Sequence, residues 1–160
     1  MAKFRTKARA IDLLGKNQIA DLPTAITELW KNGYDAYGDY LAARLYHKGY
    51  QNIPHDFFLL SDDGRGMSQS DILNNWIVIG TGNKRDTKTI PSPEDRLYKK
   101  RRVPLGEKGI GRLSVAYLGN HMLMITKKPG HPVQMLFMNW KILENYEMYL
   151  DEVEIPLLAL

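Results

Sequence analysis

From Leu22 onward, apolar and polar residues alternate with the period of an amphipathic helix through Ala25, Ile26, Leu29, Trp30, Ala36 and Tyr37. At about 100° per residue these six fall on an arc from about 60° to 200° measured from Glu28, the width of a face packed on a sheet. Asn32 lies about 40° to one side of Glu28 and Asp35 about 20° to the other, so three polar side chains share one narrow stripe beside that face. Asp21-Leu22-Pro23-Thr24 carries the N-cap and early proline that open a helix. The pattern predicts a helix from about Leu22 into the low forties, continuing through Leu41-Ala42-Ala43-Arg44-Leu45-Tyr46, with Gly49 past its end.

Shorter patterns follow. Phe57-Phe58-Leu59-Leu60 is an apolar run of buried-strand type that ends in Ser61-Asp62-Asp63-Gly64-Arg65-Gly66-Met67. Ser68-Gln69-Ser70-Asp71 reads as a capping box for a short helix reaching about Trp76. Between Thr81 and Leu105 hydrophobic periodicity disappears and three prolines occur, Pro91, Pro93 and Pro104. A segment of that length without a core face is functional or disordered. Gly106-Glu107-Lys108-Gly109-Ile110-Gly111 then leads into Arg112 and a helical run from Leu113 to Leu118, stopped by Gly119. His121 to Thr126 reads as a strand, Pro129-Gly130 as a turn and Val133 to Met138 as the hairpin partner. Asp151 to Leu160 looks like the start of another strand, and residues 1–10, basic and poor in apolar side chains, read as an arm.

Composition narrows the class. At 160 residues the prior is one domain, 1–160, able to bury about two thirds of its unfolded surface. Without cysteine there are no disulfides, thiolate metal sites or cysteine nucleophile. No apolar run approaches membrane-spanning length and the start has no signal-peptide core, so a cytoplasmic protein is expected. The net charge of +4 is uneven: residues 84–112 hold ten basic and four acidic side chains, a local +6, against 12 and 14 elsewhere. A polyanion, whether nucleotide or nucleic acid, would meet that segment.

The motifs admit competing chemistries. An amide and a carboxylate on one helix stripe can offer oxygens to a hard cation such as Mg²⁺ and leave a carboxylate to orient water, or they are a solvated helix face. Gly64-Arg65-Gly66 is a tight turn or a place of close backbone approach with positive φ. A calcium loop fails, because the alternating acidic spacing and closing Glu are missing. Gly106 to Gly111 has the outer spacing of a P-loop, but Arg112-Leu113 stands where Lys and Ser or Thr are required. A dinucleotide fingerprint fails on glycine order. What remains is a glycine loop at a helix N-terminus, suited to phosphate.

The Glu28/Asn32/Asp35 helix, the strand-end Asp-x-Gly-x-Gly at Asp62, Gly64 and Gly66, and the Gly-x-x-Gly-x-Gly at Gly106, Gly109 and Gly111 occur in this order. Together they resemble the ATP-binding domain of the GHKL superfamily, which contains gyrase B, Hsp90, the MutL ATPases, the MORC proteins and the histidine kinases. The likeness runs from about Ile11 to at least Thr126, and is closest to bacterial Hsp90-like or MORC-like ATP-binding proteins. It implies an α+β fold, the two-layer α/β sandwich of Bergerat type, with helices on one face of a mixed, mostly antiparallel sheet. It also implies ATP and Mg²⁺ as ligands, a lid at 81–105, and a last strand or strands absent from this chain.

By match, Glu28 is the general base, Asn32 the Mg²⁺ ligand and Asp62 the acceptor for the adenine amino group. Gly64, Gly66 and Met67 line the base, and Asn75 lies beside the nucleotide as in Hsp90-like members. Gly106, Lys108, Gly109 and Gly111 hold phosphate, and Asp35 supports the site through water or neighbouring groups. Glu28 favours an ATPase over a histidine kinase, which generally has Asn or His there. A nucleotide-switched binding module with negligible turnover and a histidine-kinase-like phosphotransfer domain remain alternatives. The resemblance further implies an ATP-dependent homodimer using the arm, and a downstream transducer domain or client protein. Nucleic acid is a third partner class, through residues 84–112.

Overall fold

The computed structural model describes residues 5–16, 19–78, 91–106 and 111–160, with the backbone alone at residues 12 and 14–16. Helix α1 covers Arg9–Lys16 and α2 Leu22–Asp35. Asp21 caps α2 as its sequence predicts, its carboxylate accepting the Thr24 N–H at 2.8 Å. The helix stops earlier than the periodicity implies, and Leu41–Tyr46 is a strand, β1, paired antiparallel with β2, Phe57–Asp62. The stop comes from residues far along the chain. Asp63 Oδ1 accepts the N–H groups of Asp39 and Tyr40 at 2.7 and 2.8 Å, and Arg65 N–H donates to Ala36 O at 2.8 Å. Tyr37 meanwhile adopts a left-handed φ of 65°. Leu-Ala-Ala-Arg-Leu is good helix material by propensity, and tertiary pairing overrides it.

The predicted capping box is present, with Asp71 N–H and Ser68 N–H each bonded to the other residue's side chain. It opens α3, Gln69–Asp71, which widens at once into a π-helix over Ile72–Trp76. Beyond the glycine box, a 3₁₀ turn at Gly111–Leu113 leads into α4, Ser114–Leu118. Strands β3, His121–Thr126, and β4, Gln134–Asn139, form the expected hairpin in the register Leu123 to Phe137. The last strand, β5, is only Leu157–Ala159, and a 3₁₀ turn occupies Leu150–Glu152. Every strand pairing among the described residues is antiparallel, in a two-stranded ladder β1-β2 and a three-stranded sheet β3-β4-β5.

Alternation decides the sheet's inner face. Leu136 and Met138 are buried and Met122 and Met124 partly so, while Leu123, Ile125 and Phe137 on the opposite face stay exposed. The buried methionine and leucine side chains meet Ala8, just before α1, Ile11 of α1, Ile72, Leu113, Trp140 and Leu143 in a single core. The described residues of the expected arm pack against this body. Lys7 bridges Tyr149, Ala8 N–H donates to Met148 O, and Leu150 N–H donates to Thr6 O. The Arg5 and Lys7 side chains lie over the Tyr149 ring at 3.5 and 3.9 Å, and Arg9 covers Tyr146.

Helix α2 packs on α4 and the turn before it, and on β1 at its C-terminal end. Trp30, placed by periodicity on the packed face, is 40% exposed. The close approach is made instead by Gly33, at about 140° on the same wheel. A methyl group there would lie 2.4 Å from Leu41 Cδ2 and 3.2 Å from Asp62 Cβ. That contact brings the Asp62 strand end to the helix carrying Glu28 and Asn32.

Candidate functional site

Two carboxylates of α2, seven positions apart, lie at the two described ends of the glycine box. Asp35 accepts the N–H of Leu105 at 2.8 Å through Oδ1 and the N–H of Gly106 at 3.1 Å through Oδ2. At the other end, a methyl group on Gly111 would lie 3.1 Å from Glu28 Oε2. Seven helical residues span about 10.5 Å. Asn32 sits on the same stripe between them, part-buried. Lys108 and Gly109 lie outside the described residues, as do residues 81–90 of the expected lid.

Glu28 is oriented by a partner that sequence reasoning missed. Its Oε1 accepts from Lys31 Nζ at 2.6 Å, with the two side chains 27% and 33% exposed. The other oxygen, Oε2, therefore faces Gly111 and the box. The three-residue spacing was the available signal, because positions i and i+3 are neighbours on a helix.

The Asp-x-Gly-x-Gly loop is stitched to the end of α2. Asp62 is exposed at the end of β2, its Oδ1 accepting the Gly64 N–H at 2.9 Å. Asp63 holds the chain after α2, as described, and these amides, led by that of Tyr40, lower its pKa. The expected positive φ is found at one of the two glycines and not at the other. Gly64 is not in the positive-φ region, and a methyl there would lie 2.8 Å from Ala36 Cβ. Gly66 does have φ +65°, but the group approaching it is the Lys127 carbonyl, 2.0 Å from where a methyl would stand. Both glycines answer to protein packing. Met67 is partly buried against the core, and its N–H donates to Thr126 Oγ1 at 3.0 Å.

Asn75 is exposed on the π-helix. Its carbonyl and those of Trp76 and Val78 accept from the Arg112 guanidinium. Burial pushes the Arg112 pKa down. Arg112 follows Gly111 directly, so the structure connects Asn75 to the box through the protein's own backbone.

Further contacts join residues too far apart in sequence to be paired by reading it. Asp95 meets Arg65 at 3.4 Å and Lys128 at 3.3 Å, and Lys128 also reaches Asp71 at 3.3 Å. Burial alone would raise the Asp71 pKa; the Ser68 hydrogen bonds and Lys128 outweigh it and the net shift is downward. The segment 91–106 thus rests on the Asp-x-Gly-x-Gly loop as well as on α2. Two of its basic residues turn inward, Arg96 donating to Pro91 O and Lys99 O and Arg102 donating to Tyr34 O and Gly38 O, while Lys100 and Arg101 stay exposed.

Among the described residues no group of three His, Cys, Asp or Glu side chains could hold a metal ion. The donor set nevertheless fits Mg²⁺, which keeps waters and substrate phosphates as ligands and takes one or two from the protein. An amide oxygen from Asn32 would suit as one such ligand.

A helix bearing acid and amide, a strand-end aspartate packed behind it and a glycine box bonded to that helix at Gly106 and lying against it at Gly111 define a nucleotide-binding domain of the α+β class. The family model described as "Histidine kinase-, DNA gyrase B-, and HSP90-like ATPase" matches residues 20–157, and the chain belongs to that family. The match supports ATP binding and, generally for the family, ATP hydrolysis. No curated protein matches the chain. Among the described residues no helix is long and apolar enough to cross a membrane.

Proposed function

We propose that this domain binds Mg-ATP and hydrolyses it slowly, with Glu28 as general base. The observation that carries the reading is the placement of Glu28 Oε2 against Gly111 while Lys31 engages Oε1. One carboxylate oxygen is thereby held for structure and the other is directed at the phosphate loop. The water's oxygen attacks the γ-phosphorus, the bond to the bridging oxygen breaks and ADP departs. Glu28 orients that water and takes its proton. Phosphoryl transfer needs mainly positioning and charge neutralisation.

Asp62 receives the adenine amino group, and Gly64, Gly66 and Met67 flank the base. Gly106, Lys108, Gly109 and Gly111 hold the phosphates, with Asn75 beside the nucleotide. Asp35 acts by holding the box rather than by touching nucleotide. Mg²⁺ held by Asn32 would neutralise phosphate charge. Lid closure over 81–105, dimerisation, a downstream transducer or client and a cytoplasmic setting belong to this reading as what the family resemblance implies.

Phosphate release by wild type and Glu28→Ala tests the assignment. Loss of roughly 100-fold or more in turnover, with Mg-ATP affinity retained, is expected for a general base. Equal turnover in the two proteins would refute it. ATP binding with no turnover in the wild type would establish the alternative, a nucleotide-switched binding module.

A further inference from the structure

The C-terminal end of α2 has no basic residue of its own in its last turn. The cations found there come from more than 60 residues away. Arg102 NH1 donates to Tyr34 O at 3.1 Å and Gly38 O at 2.7 Å, and NH2 donates to Asp39 Oδ1 at 2.5 Å. Its guanidinium carbon lies 4.8 Å from the Tyr34 ring centre and 5.5 Å from that of Tyr37. Lys99 Nζ donates to Tyr37 O at 2.7 Å and meets Asp39 Oδ2 at 2.6 Å. Tyr34 O belongs to the last turn of α2, where it also accepts the Tyr37 N–H at 2.9 Å, and the Tyr37 and Gly38 carbonyls belong to the chain just beyond it, at the end where the helix dipole favours cations. Arg102 alone serves two of them and a carboxylate, which the planar fork of arginine can do and a lysine ammonium cannot reproduce. Its side chain is 19% exposed although Asp39 is 61% exposed, so the shielded part of the contact is the one with the Tyr34 and Gly38 carbonyls.

Three residues further on, the amides of Leu105 and Gly106 reach the Asp35 carboxylate. Asp35 belongs to the last turn of the helix that Arg102 caps. The clamp and the mouth of the glycine box are therefore neighbouring attachments of one short segment to one helix end.

We propose that Arg102 is a positioning residue for the triphosphate: by clamping residues 99–102 to the end of α2, it holds Gly106 on Asp35 and so fixes the box relative to Glu28 and Asn32. The inference rests on the nucleotide-binding reading above and deepens it. Arg102 itself touches no nucleotide. Its effect falls first on the phosphate end of the site, because its segment carries the Leu105 and Gly106 amides to Asp35, whereas Asp63 reaches the chain after α2 through the backbone amides of Asp39 and Tyr40 and not through Arg102.

Calorimetric titration of adenosine and of Mg-ATP into wild type, Arg102→Ala, Arg102→Lys and Arg96→Ala tests this. Arg96 is the control, since its guanidinium bonds only carbonyls of its own segment in the contacts described above. The expected result for Arg102→Ala is a rise of about tenfold in the Mg-ATP Kd with adenosine affinity changed less than twofold, about 1.4 kcal/mol confined to the phosphates. Arg102→Lys falls between it and the wild type, and Arg96→Ala keeps the wild-type ratio. If Arg102→Ala fails to fold, Arg102→Lys carries the same comparison. Adenosine and Mg-ATP weakened by one common factor would show a merely structural role and overturn the proposal, as would an unchanged Mg-ATP Kd. A wild type that binds neither ligand overturns the nucleotide-binding reading, and this inference with it. A wild type that binds both, beside variants keeping its Kd ratio, overturns the inference alone.

Discussion

Replacing Gly66 by alanine separates the two demands that the Asp-x-Gly-x-Gly loop makes on its last glycine. The first is conformational: φ is +65°, where a side chain costs about 1–2 kcal/mol. The second is spatial. The new methyl would stand 2.0 Å from the Lys127 oxygen, 2.5 Å from its carbonyl carbon and 3.1 Å from the Lys128 nitrogen, all backbone atoms. No side chain can swing away, so strand ends must shift, and overpacking of this kind costs about 1–3 kcal/mol. Reduced entropy of the unfolded chain returns about 0.4–1 kcal/mol. The sum is a loss of about 1–4.6 kcal/mol. Gly130→Ala supplies the reference, because φ there is +77° with nothing within 4 Å of the added methyl. It should cost at most about 1.6 kcal/mol on the same terms. In urea, with a slope of about 2 kcal/mol/M, Gly66→Ala should lower the midpoint by about 0.5–2.3 M and always by more than Gly130→Ala. A midpoint shift for Gly66→Ala no greater than that of Gly130→Ala would refute the claim that the loop is packed against Lys127.

Two further outcomes follow from the ion pairs around α2. Hydrogen bonds from Lys99 and then Arg102 hold the Asp39 carboxyl below its ordinary 3.8, so its contribution to stability is complete above that value and is lost as pH falls through the lower folded-state value. Acid unfolding should therefore show a steeper loss below about pH 4 in wild type than in Asp39→Asn; superimposed acid profiles would contradict it. Lys31→Met should leave the melting temperature within a few degrees, as expected of a partly exposed pair, yet lower turnover more than ATP affinity. Unchanged turnover would show that Lys31 does not orient Glu28.

The parts of this molecule legible in the sequence are those set by local pattern. The Glu28/Asn32/Asp35 stripe follows from helical periodicity, and the β3-β4 hairpin from two apolar runs around Pro129-Gly130. The Ser68/Asp71 box follows from a three-residue spacing. Local pattern misled at Leu41–Tyr46, because the helix is ended by Asp63 and Arg65, more than 20 residues later, and no periodicity carries that information. The glycines of the Asp-x-Gly-x-Gly loop were visible as a motif, but their physical cause, the approach of Ala36 and Lys127, appears only once the chain is folded. The same holds for Asp39, Lys99 and Arg102. In sequence Asp39 falls inside the predicted helix and Lys99 and Arg102 belong to a basic run; in the structure the three meet just past the end of the helix that carries the proposed catalytic residue.

The measurement bearing most directly on the account is calorimetric titration of Mg-ATP and Mg-GTP into wild type and Asp62→Asn. The account predicts that wild type binds ATP and not GTP, since Asp62 accepts a hydrogen bond from an amino group that guanine lacks at that position. It also predicts that Asp62→Asn loses ATP binding. Equal affinity for the two nucleotides, or full ATP binding by Asp62→Asn, would contradict the assignment of Asp62 and the placement of the base beside it.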